Sequence, residues 1–218
     1  MDKVHGQQGS PHAEHPAFGP QWWEQHYQEH AVTHGSPSPQ LVAELTGLPV
    51  GSALDAGCGR GADALWLARQ GWQVTAVDVS ATAVSDAKDL AAHQEPDIAS
   101  RVSWLAADLT TWEPPEQYDL VVSQYVHPTM PFSDFVARLA RAVAPGGTLL
   151  IVGHAPGDEH SAAHAPEQAS IGPDAVTGAL SAELWDVDVA EIRTRQVGHG
   201  STGMSIQDLV VRAHRKPR

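Results

Sequence analysis

The sequence predicts a single α/β domain built on a largely parallel β-sheet, and three observations support this. Short β-rich apolar segments alternate with helical segments of roughly ten residues through the middle of the chain. A glycine turn at Gly57, Gly59 and Gly61 follows the first apolar segment, and Asp78 follows the second. The length of 218 residues and the hydrophobic content of 42% are enough for one packed core.

The strands are assigned in chain order from their apolar, β-branched runs. Five are expected at residues 52–56, 73–77, 102–106, 120–124 and 147–153, with helices near 62–70, 81–93 and 131–143. Residues 154–180 are rich in His, Gly, Ala and Pro, which predicts a loop with at most one short helix. Two further strands, at 185–195 and 205–212, are joined by about ten residues without a helical pattern, which favours an antiparallel hairpin.

The N-terminal region divides into a tail and two short helices. Residues 1–20 are polar, rich in His, Gly and Pro, and predicted to be disordered. Between residues 20 and 30, Trp and Tyr side chains recur with His at helical spacing. Gly35 and two prolines then interrupt the chain, and a second helix is expected from Pro39 to about residue 46.

Composition and charge limit the partners and the location. The formal net charge of −13 would repel a polyphosphate, so a nucleic-acid substrate is not expected. No segment reaches the roughly 18 apolar residues of a membrane span, the N-terminus lacks a signal-peptide core, and the single cysteine excludes an internal disulfide. The expected location is the cytoplasm, without membrane association. The sequence does not distinguish a monomer from a homodimer.

The 13 histidines invite a metal hypothesis, which the sequence does not support. His160 and His164 form a pair at i, i+4 spacing with a nearby acid, but no third ligand is fixed by sequence. No metal site is therefore predicted.

The glycine turn has two interpretations. Gly57-x-Gly59-x-x-Ala62 fits the dinucleotide fingerprint, whereas Gly57-x-Gly59-x-Gly61 preceded by Asp55 fits an S-adenosylmethionine turn equally well. In both, glycines allow close approach of the backbone to a ligand, and the acid after the second strand accepts hydrogen bonds from ribose hydroxyls. The turn alone leaves both cofactors open.

Four segments downstream of the turn decide between the two cofactors. The turn segment is Leu54-Asp55-Ala56-Gly57-Cys58-Gly59-Arg60-Gly61, and the four that follow it are Val77-Asp78, Ala107-Asp108-Leu109, Tyr118-Asp119-Leu120-Val121-Val122 and Ala144-Pro145-Gly146-Gly147-Thr148-Leu149-Leu150. In this order they resemble the class I S-adenosylmethionine-dependent methyltransferases, from about residue 22 to the C-terminus. The resemblance implies a Rossmann-like seven-stranded sheet of order 3-2-1-4-5-7-6, with strand 7 antiparallel and helices on both faces.

The segment Trp22-Trp23-Glu24-Gln25-His26-Tyr27 resembles the opening of small bacterial methyltransferases of the tellurite-resistance and thiol type. There it covers the cofactor, which implies a helical lid over about residues 21–46 of a single domain spanning 21–218. Aromatic side chains at this spacing could instead simply pack on the core. His26 stands where those relatives frequently have Arg, so no substrate role is carried over from that Arg.

The resemblance implies S-adenosylmethionine as cofactor and a set of residues that bind it. The implied contacts are Asp55, Gly57, Cys58, Gly59 and Gly61 of the turn, Asp78 and Val79 after strand two, Asp108 and Leu109 after strand three, Ser123 and Gln124 ending strand four, and Trp23 and Tyr27 of the lid. Asp78 is assigned to the ribose. The Asp108 carboxylate and the Leu109 N–H are assigned to the adenine. Asp55 either anchors the loop or meets the cofactor's ammonium group.

His127, just past strand four, is the candidate catalytic residue, because a histidine can take a proton near neutral pH. It could instead simply line the pocket, and His154 and Asp158 are further candidates for that role. We therefore expect methyl transfer to a sulfur, oxygen or nitrogen atom of a small molecule. The absence of an Asn-Pro-Pro-Tyr-like run after strand four disfavours nucleobase amines. The alternatives are a nicotinamide-dependent oxidoreductase and a non-catalytic S-adenosylmethionine-binding protein.

Overall fold

The computed structural model describes residues 18–30, 35–156, 171–197 and 204–217. It contains one seven-stranded sheet, with strands β1 Ser52–Ala56, β2 Gln73–Asp78, β3 Val102–Ala106, β4 Tyr118–Gln124, β5 Val143–His154, β6 Trp185–Val197 and β7 Met204–Arg215. The strand order is β3-β2-β1-β4-β5-β7-β6, and β7 runs antiparallel to both of its neighbours. The predicted fold class and strand order are therefore confirmed.

Seven helices lie in the described part of the chain: α1 Pro20–Glu29, α2 Pro39–Leu45, α3 Ala62–Arg69, α4 Ala81–Gln94, α5 Pro96–Ala99, α6 Phe132–Ala142 and α7 Pro173–Thr177. The short α5 was not predicted. α7 is a short helix within residues 154–180, where at most one was predicted, and residues 157–170 of that segment lie outside the described part. Residues 1–17 of the predicted disordered tail lie outside the described residues. The connection between β6 and β7 also lies outside them. None of the described helices is long and apolar enough to cross a membrane.

The parallel strands bring their carboxyl ends to a common edge of the sheet. β1 pairs in parallel with β2 and β4, β2 with β3, and β4 with β5. In this register Ala56 of β1 lies beside Val77 of β2, and Asp78 lies beside Ala106 of β3. Side chains that follow these strands therefore converge at one edge, where open α/β sheets bind ligands.

Helices cover both faces of the sheet, and two hydrophobic clusters form the core. Strand β1 alternates between them, because Leu54 packs in the cluster that contains α6 while Ala53 packs in the cluster that contains α3. Strand β4 alternates in the same way, with Val121 on the first face and Val122 on the second. Burial on both faces explains why these strands are continuous apolar runs, and it holds their ends in place.

Candidate active site

A cavity of about 260 Å³ opens at the carboxyl edge of the sheet. Its walls come from the start of α1, the turn after β1, the ends of β2 and β4, and the segment after β3. It brings together most of the residues predicted from the sequence: Trp23, Tyr27, Gly57, Asp78, Val79, Asp108, Leu109, Gln124 and His127. The convergence follows from the strand register, because each of the strand-end residues follows a parallel strand.

Asp78 lies in the cavity wall and is held by the backbone around it. One carboxylate oxygen accepts a hydrogen bond from Gly59 N at 2.8 Å, and the other accepts one from Ser80 N at 2.9 Å. Burial raises the pKa of Asp78, and these N–H donors partly offset that rise. Each carboxylate oxygen can accept a second hydrogen bond, so Asp78 still has the capacity to bind two hydroxyls.

The turn requires glycine at three positions because of its backbone conformation and because neighbouring side chains pack closely against it. Gly57, Gly59 and Gly61 have φ of 91°, 49° and 79°, a region that L side chains rarely adopt. A Cβ at Gly57 would overlap Val126, one at Gly59 would lie 2.8 Å from the Tyr27 hydroxyl, and one at Gly61 would overlap Trp104. Gly57 lines the cavity with its backbone. Gly61 leaves space for the indole ring of Trp104.

Asp108 begins the tight turn after β3. One of its carboxylate oxygens accepts hydrogen bonds from Thr110 N at 2.8 Å and from Thr110 Oγ1 at 2.7 Å. The Asp108 carbonyl accepts one from Trp112 N at 2.7 Å. The carboxylate is thus fixed in orientation at the cavity wall, beside Leu109.

Comparison with known proteins agrees with this arrangement. Residues 53–147 match the family model described as a methyltransferase domain. The chain is 33% identical over 156 residues to a trans-aconitate 2-methyltransferase of Streptomyces avermitilis, covering 68% of this chain and 56% of that protein. It is 30% identical over 137 residues to a probable thiol methyltransferase 2 of Arabidopsis thaliana, covering 59% of each.

The chain belongs to the class I S-adenosylmethionine-dependent methyltransferases. This confirms the predicted family and, with it, the class of cofactor. A solved structure from work on the conversion of a disulfide bond into a thioacetal group during echinomycin biosynthesis is 26% identical, with a TM-score of 0.68 over 90% of this chain and 92% of that one. The chain spans somewhat more than half the length of the curated relatives it matches.

Five predicted contacts of this class I methyltransferase lie outside the cavity lining: Asp55, Cys58, Gly59, Gly61 and Ser123. Asp55 is 2% exposed, and one of its carboxylate oxygens has no hydrogen-bond partner within the described part of the chain. Burial raises the pKa of Asp55 and that of the Cys58 thiol well above their usual ranges. Both side chains are buried, and direct contact of these five residues with a cofactor stays a prediction.

Helix α1 is attached to the cavity wall through Glu24, which sequence reasoning missed. Its carboxylate accepts hydrogen bonds from the hydroxyls of Ser80 at 2.7 Å and Thr82 at 2.5 Å, and from Thr82 N at 3.2 Å. These bonds, led by that of the Thr82 hydroxyl, lower the pKa of Glu24 to about 2. The start of α4, directly after Asp78, thus holds the helix in place.

Arg60 of the glycine turn holds the other end of α1. Its guanidinium donates to the carbonyls of Tyr27 and His30, both at 2.9 Å, and pairs with Asp86 at 3.0 Å. The same guanidinium lies 5.1 Å from the centre of the Tyr27 ring. The only sequence signal for this role was a cation inside the turn.

His127 lies among aromatic rings at the end of the cavity beyond β4. Its ring is nearly parallel to Trp23, with centroids 6.2 Å apart, and to His154 at 5.8 Å, while Phe18 lies at 5.3 Å. Burial, and then the neighbouring His154, lower the pKa of His127 to about 4. His127 is therefore a neutral imidazole at pH 7. Asp158, also considered for this wall, lies outside the described residues.

The cavity has further lining residues that the sequence did not single out for it: Phe18, Pro20, Thr110, Tyr125, Val126, Pro128, Thr129 and Phe135. Tyr125 has a φ of 54°, the only positive φ outside glycine among the described residues. Its hydroxyl donates to the buried carboxylate of Asp208 at 2.9 Å. This distant partner holds the chain in its unusual conformation at the end of β4.

Proposed function

We propose that this protein transfers a methyl group from S-adenosylmethionine to a sulfur, oxygen or nitrogen atom of a small molecule. The observation that carries the proposal is the cavity at the carboxyl edge of the sheet, where the glycine turn, Asp78 and Asp108 meet the rings of α1. Bound S-adenosylmethionine supplies an electrophilic methyl carbon on a sulfonium. The protein then has to bind the cofactor, align an acceptor and exclude water.

The residues present fit this cofactor. Asp78 retains acceptor capacity for ribose hydroxyls, because a carboxylate oxygen can accept a further hydrogen bond beyond those from Gly59 N and Ser80 N. Asp108 and the Leu109 N–H are proposed to accept from and donate to the edge of the adenine. Gly57 lines the cavity with backbone, and a side chain at this position would overlap Val126.

Helix α1 is proposed as a lid that excludes water from the reacting atoms. It places Trp23 and Tyr27 in the cavity wall, and Glu24 and Arg60 hold it at its two ends. A dry site strengthens the interactions that align the acceptor.

His127 is proposed as the residue that accepts the acceptor's proton. A neutral imidazole with a pKa near 4 is a weak base toward a resting hydroxyl or thiol. The proton on an attacking hydroxyl becomes strongly acidic as the new bond forms, so a weak base suffices at that stage. Before then the same nitrogen can accept a hydrogen bond and orient the nucleophile. The net charge of −13 supports an acceptor other than a nucleic acid.

Calorimetry with S-adenosylmethionine, S-adenosylhomocysteine and NAD tests the cofactor assignment. We expect micromolar binding of both sulfur nucleotides and no binding of NAD. The reverse pattern would contradict the proposal. Incubation with methyl-labelled S-adenosylmethionine and a panel of thiols, phenols and amines then tests transfer. Tight binding with no labelled product from any acceptor would favour the non-catalytic alternative.

A further inference from the structure

We propose that the acceptor is a compound with a flat, apolar body and no anionic group, bound against the wall formed by Trp23, His127, Pro128 and Thr129. This inference rests on the proposed function and narrows its substrate class. We refer to this part of the cavity, lined by Phe18 and these four residues, as the acceptor wall.

The charge of the cavity argues against an anionic acceptor. Among the described residues that line it, Asp78 and Asp108 are the charged ones, and neither Arg nor Lys is present. An acceptor carboxylate or phosphate would therefore lose water without gaining an Arg or Lys partner, in a cavity whose own charged side chains are acidic. Both effects cost free energy in a site of low dielectric constant.

Two arginines of a neighbouring cavity do not remedy this. Arg60 and Arg195 line a neighbouring cavity, on the far side of Tyr27 and Tyr125, which line both. Arg60 pairs with Asp86 at 3.0 Å and donates to two lid carbonyls, and Arg195 pairs with the fully buried Asp208 at 2.6 Å. Recruiting either guanidinium to an acceptor would break a pair and leave a carboxylate without its partner.

The charge of the whole chain points the same way. The chain as a whole has 13 basic against 26 acidic residues. An acceptor without negative charge is thus favoured at close range and at long range.

The rings of the acceptor wall favour a flat apolar body. Phe18 lies 5.3 Å from His127 between ring centres, and Trp23 and His127 are parallel within 6°. Aromatic faces bind planar groups by stacking, and they tolerate or attract a cationic amine through their π electrons. The neutral His127 adds one hydrogen-bond acceptor to this wall without adding charge.

A matched pair of probes tests the proposal. Protein saturated with S-adenosylhomocysteine is titrated by calorimetry with 2-naphthol and with 6-hydroxy-2-naphthoate, which differ by one carboxylate, and with trans-aconitate as a second anion. We expect 2-naphthol to bind at least tenfold more tightly than either anion. Equal or tighter binding of an anion, or no binding of 2-naphthol, would overturn the inference. Failure to bind S-adenosylhomocysteine would instead contradict the proposed function.

Two lysine variants test where the acceptor binds. Thr129→Lys places a cation in the acceptor wall at an exposed position, and Ser85→Lys makes the same charge change at an exposed position of α4. We expect Thr129→Lys to improve the affinity for 6-hydroxy-2-naphthoate about threefold to tenfold, and Ser85→Lys to leave it unchanged. An identical response of the two variants would show that the acceptor does not contact this wall.

Discussion

The carboxylate of Glu24 in α1 accepts hydrogen bonds from both the hydroxyl and the backbone N–H of Thr82, in the first turn of α4. Backbone N–H groups at a helix N-terminus lack intrahelical partners and carry partial positive charge, so an anion is stabilised there. Because α4 begins three residues after Asp78, the lid helix is fastened to the same segment that carries the proposed ribose acceptor.

Replacing Glu24 with Gln should loosen the lid. The variant keeps the size of the side chain and loses the charge, so the three charge-assisted hydrogen bonds from Ser80 and Thr82 weaken. We expect the dissociation constant for S-adenosylhomocysteine to rise about threefold to thirtyfold, measured by calorimetry. Glu29→Gln is the control, because Glu29 lies on the exposed side of the same helix and is bonded to Gln25. Equal affinities of the two variants would argue against a role of Glu24 in closing the site.

Replacing Asp78 with Ala should remove the proposed ribose acceptor. Losing a charged group that accepts two hydroxyls should weaken cofactor binding by one or more powers of ten. Calorimetry with S-adenosylhomocysteine measures this, and the exposed Asp89→Ala provides a control for the loss of one negative charge. An unchanged dissociation constant for Asp78→Ala would refute the assignment.

His127 should make the protein less stable in mild acid. Its folded pKa of about 4 is below the ordinary value of 6.5, so the unfolded chain binds this proton more readily. Stability therefore falls as the pH drops from about 6.5 to 4 and levels off below that, by an amount on the order of 2 kcal/mol. Urea denaturation of the wild type and of His127→Gln at pH 7.5, 5.5 and 4.5 measures the slope. Parallel profiles would contradict the low pKa.

The buried carboxylate of Asp208 should be essential for folding. It is 0% exposed and accepts hydrogen bonds from the Tyr125 hydroxyl at 2.9 Å, Gln40 Nε2 at 3.0 Å and Arg195 Nε at 2.6 Å. Asp208→Ala leaves three donors without their acceptor, so the free energy of unfolding should fall by about 3 kcal/mol or more.

The control for that experiment is Asp188→Ala. Asp188 is an exposed partner of Arg212 at 3.4 Å, and a surface pair of this kind is worth about 1 kcal/mol or less. Denaturation curves of both variants give the comparison. Similar losses of stability in the two variants would contradict the claim that the buried carboxylate of Asp208 contributes more to stability than an exposed ion pair.

Two glycine variants separate backbone strain from steric overlap. Gly61 and Gly47 both have positive φ, of 79° and 89°. An added Cβ at Gly61 would overlap Trp104, whereas one at Gly47 would meet nothing within 4 Å. We expect Gly47→Ala to lower the free energy of unfolding by about 1 kcal/mol and Gly61→Ala by at least twice as much. Thermal denaturation checks the order, and equal losses would assign both effects to φ alone.

Much of the fold and part of the site could be predicted from local sequence patterns. Alternating apolar runs define parallel strands, and the residue after each strand then has to lie at the common edge. Counting along the chain therefore reached Asp78, Asp108 and His127 without knowledge of the packing. The strand order itself came from the resemblance to a known family, because periodicity does not say which strands are neighbours.

The attachment of the lid could not be predicted in this way. Glu24 and Thr82 are 58 positions apart, and their contact depends on how α1 packs on α4. The glycine turn shows a related difficulty. In the sequence, Gly61 indicates only that space is needed beside the backbone. It does not indicate whether a ligand or the Trp104 side chain occupies that space.

The position of β7 has a consequence for synthesis of the chain. β7 lies between β5 and β6, so one edge of β5 and the whole of β6 have no strand partner until β7 has been made. While the ribosome is still adding β7, the nascent protein exposes the edges of two long strands, which is the kind of surface that aggregates or engages chaperones. The hydrogen bond from the Tyr125 hydroxyl to Asp208 also cannot form before then, since Asp208 belongs to β7. The ligand pocket is therefore completed only after β7 has been made.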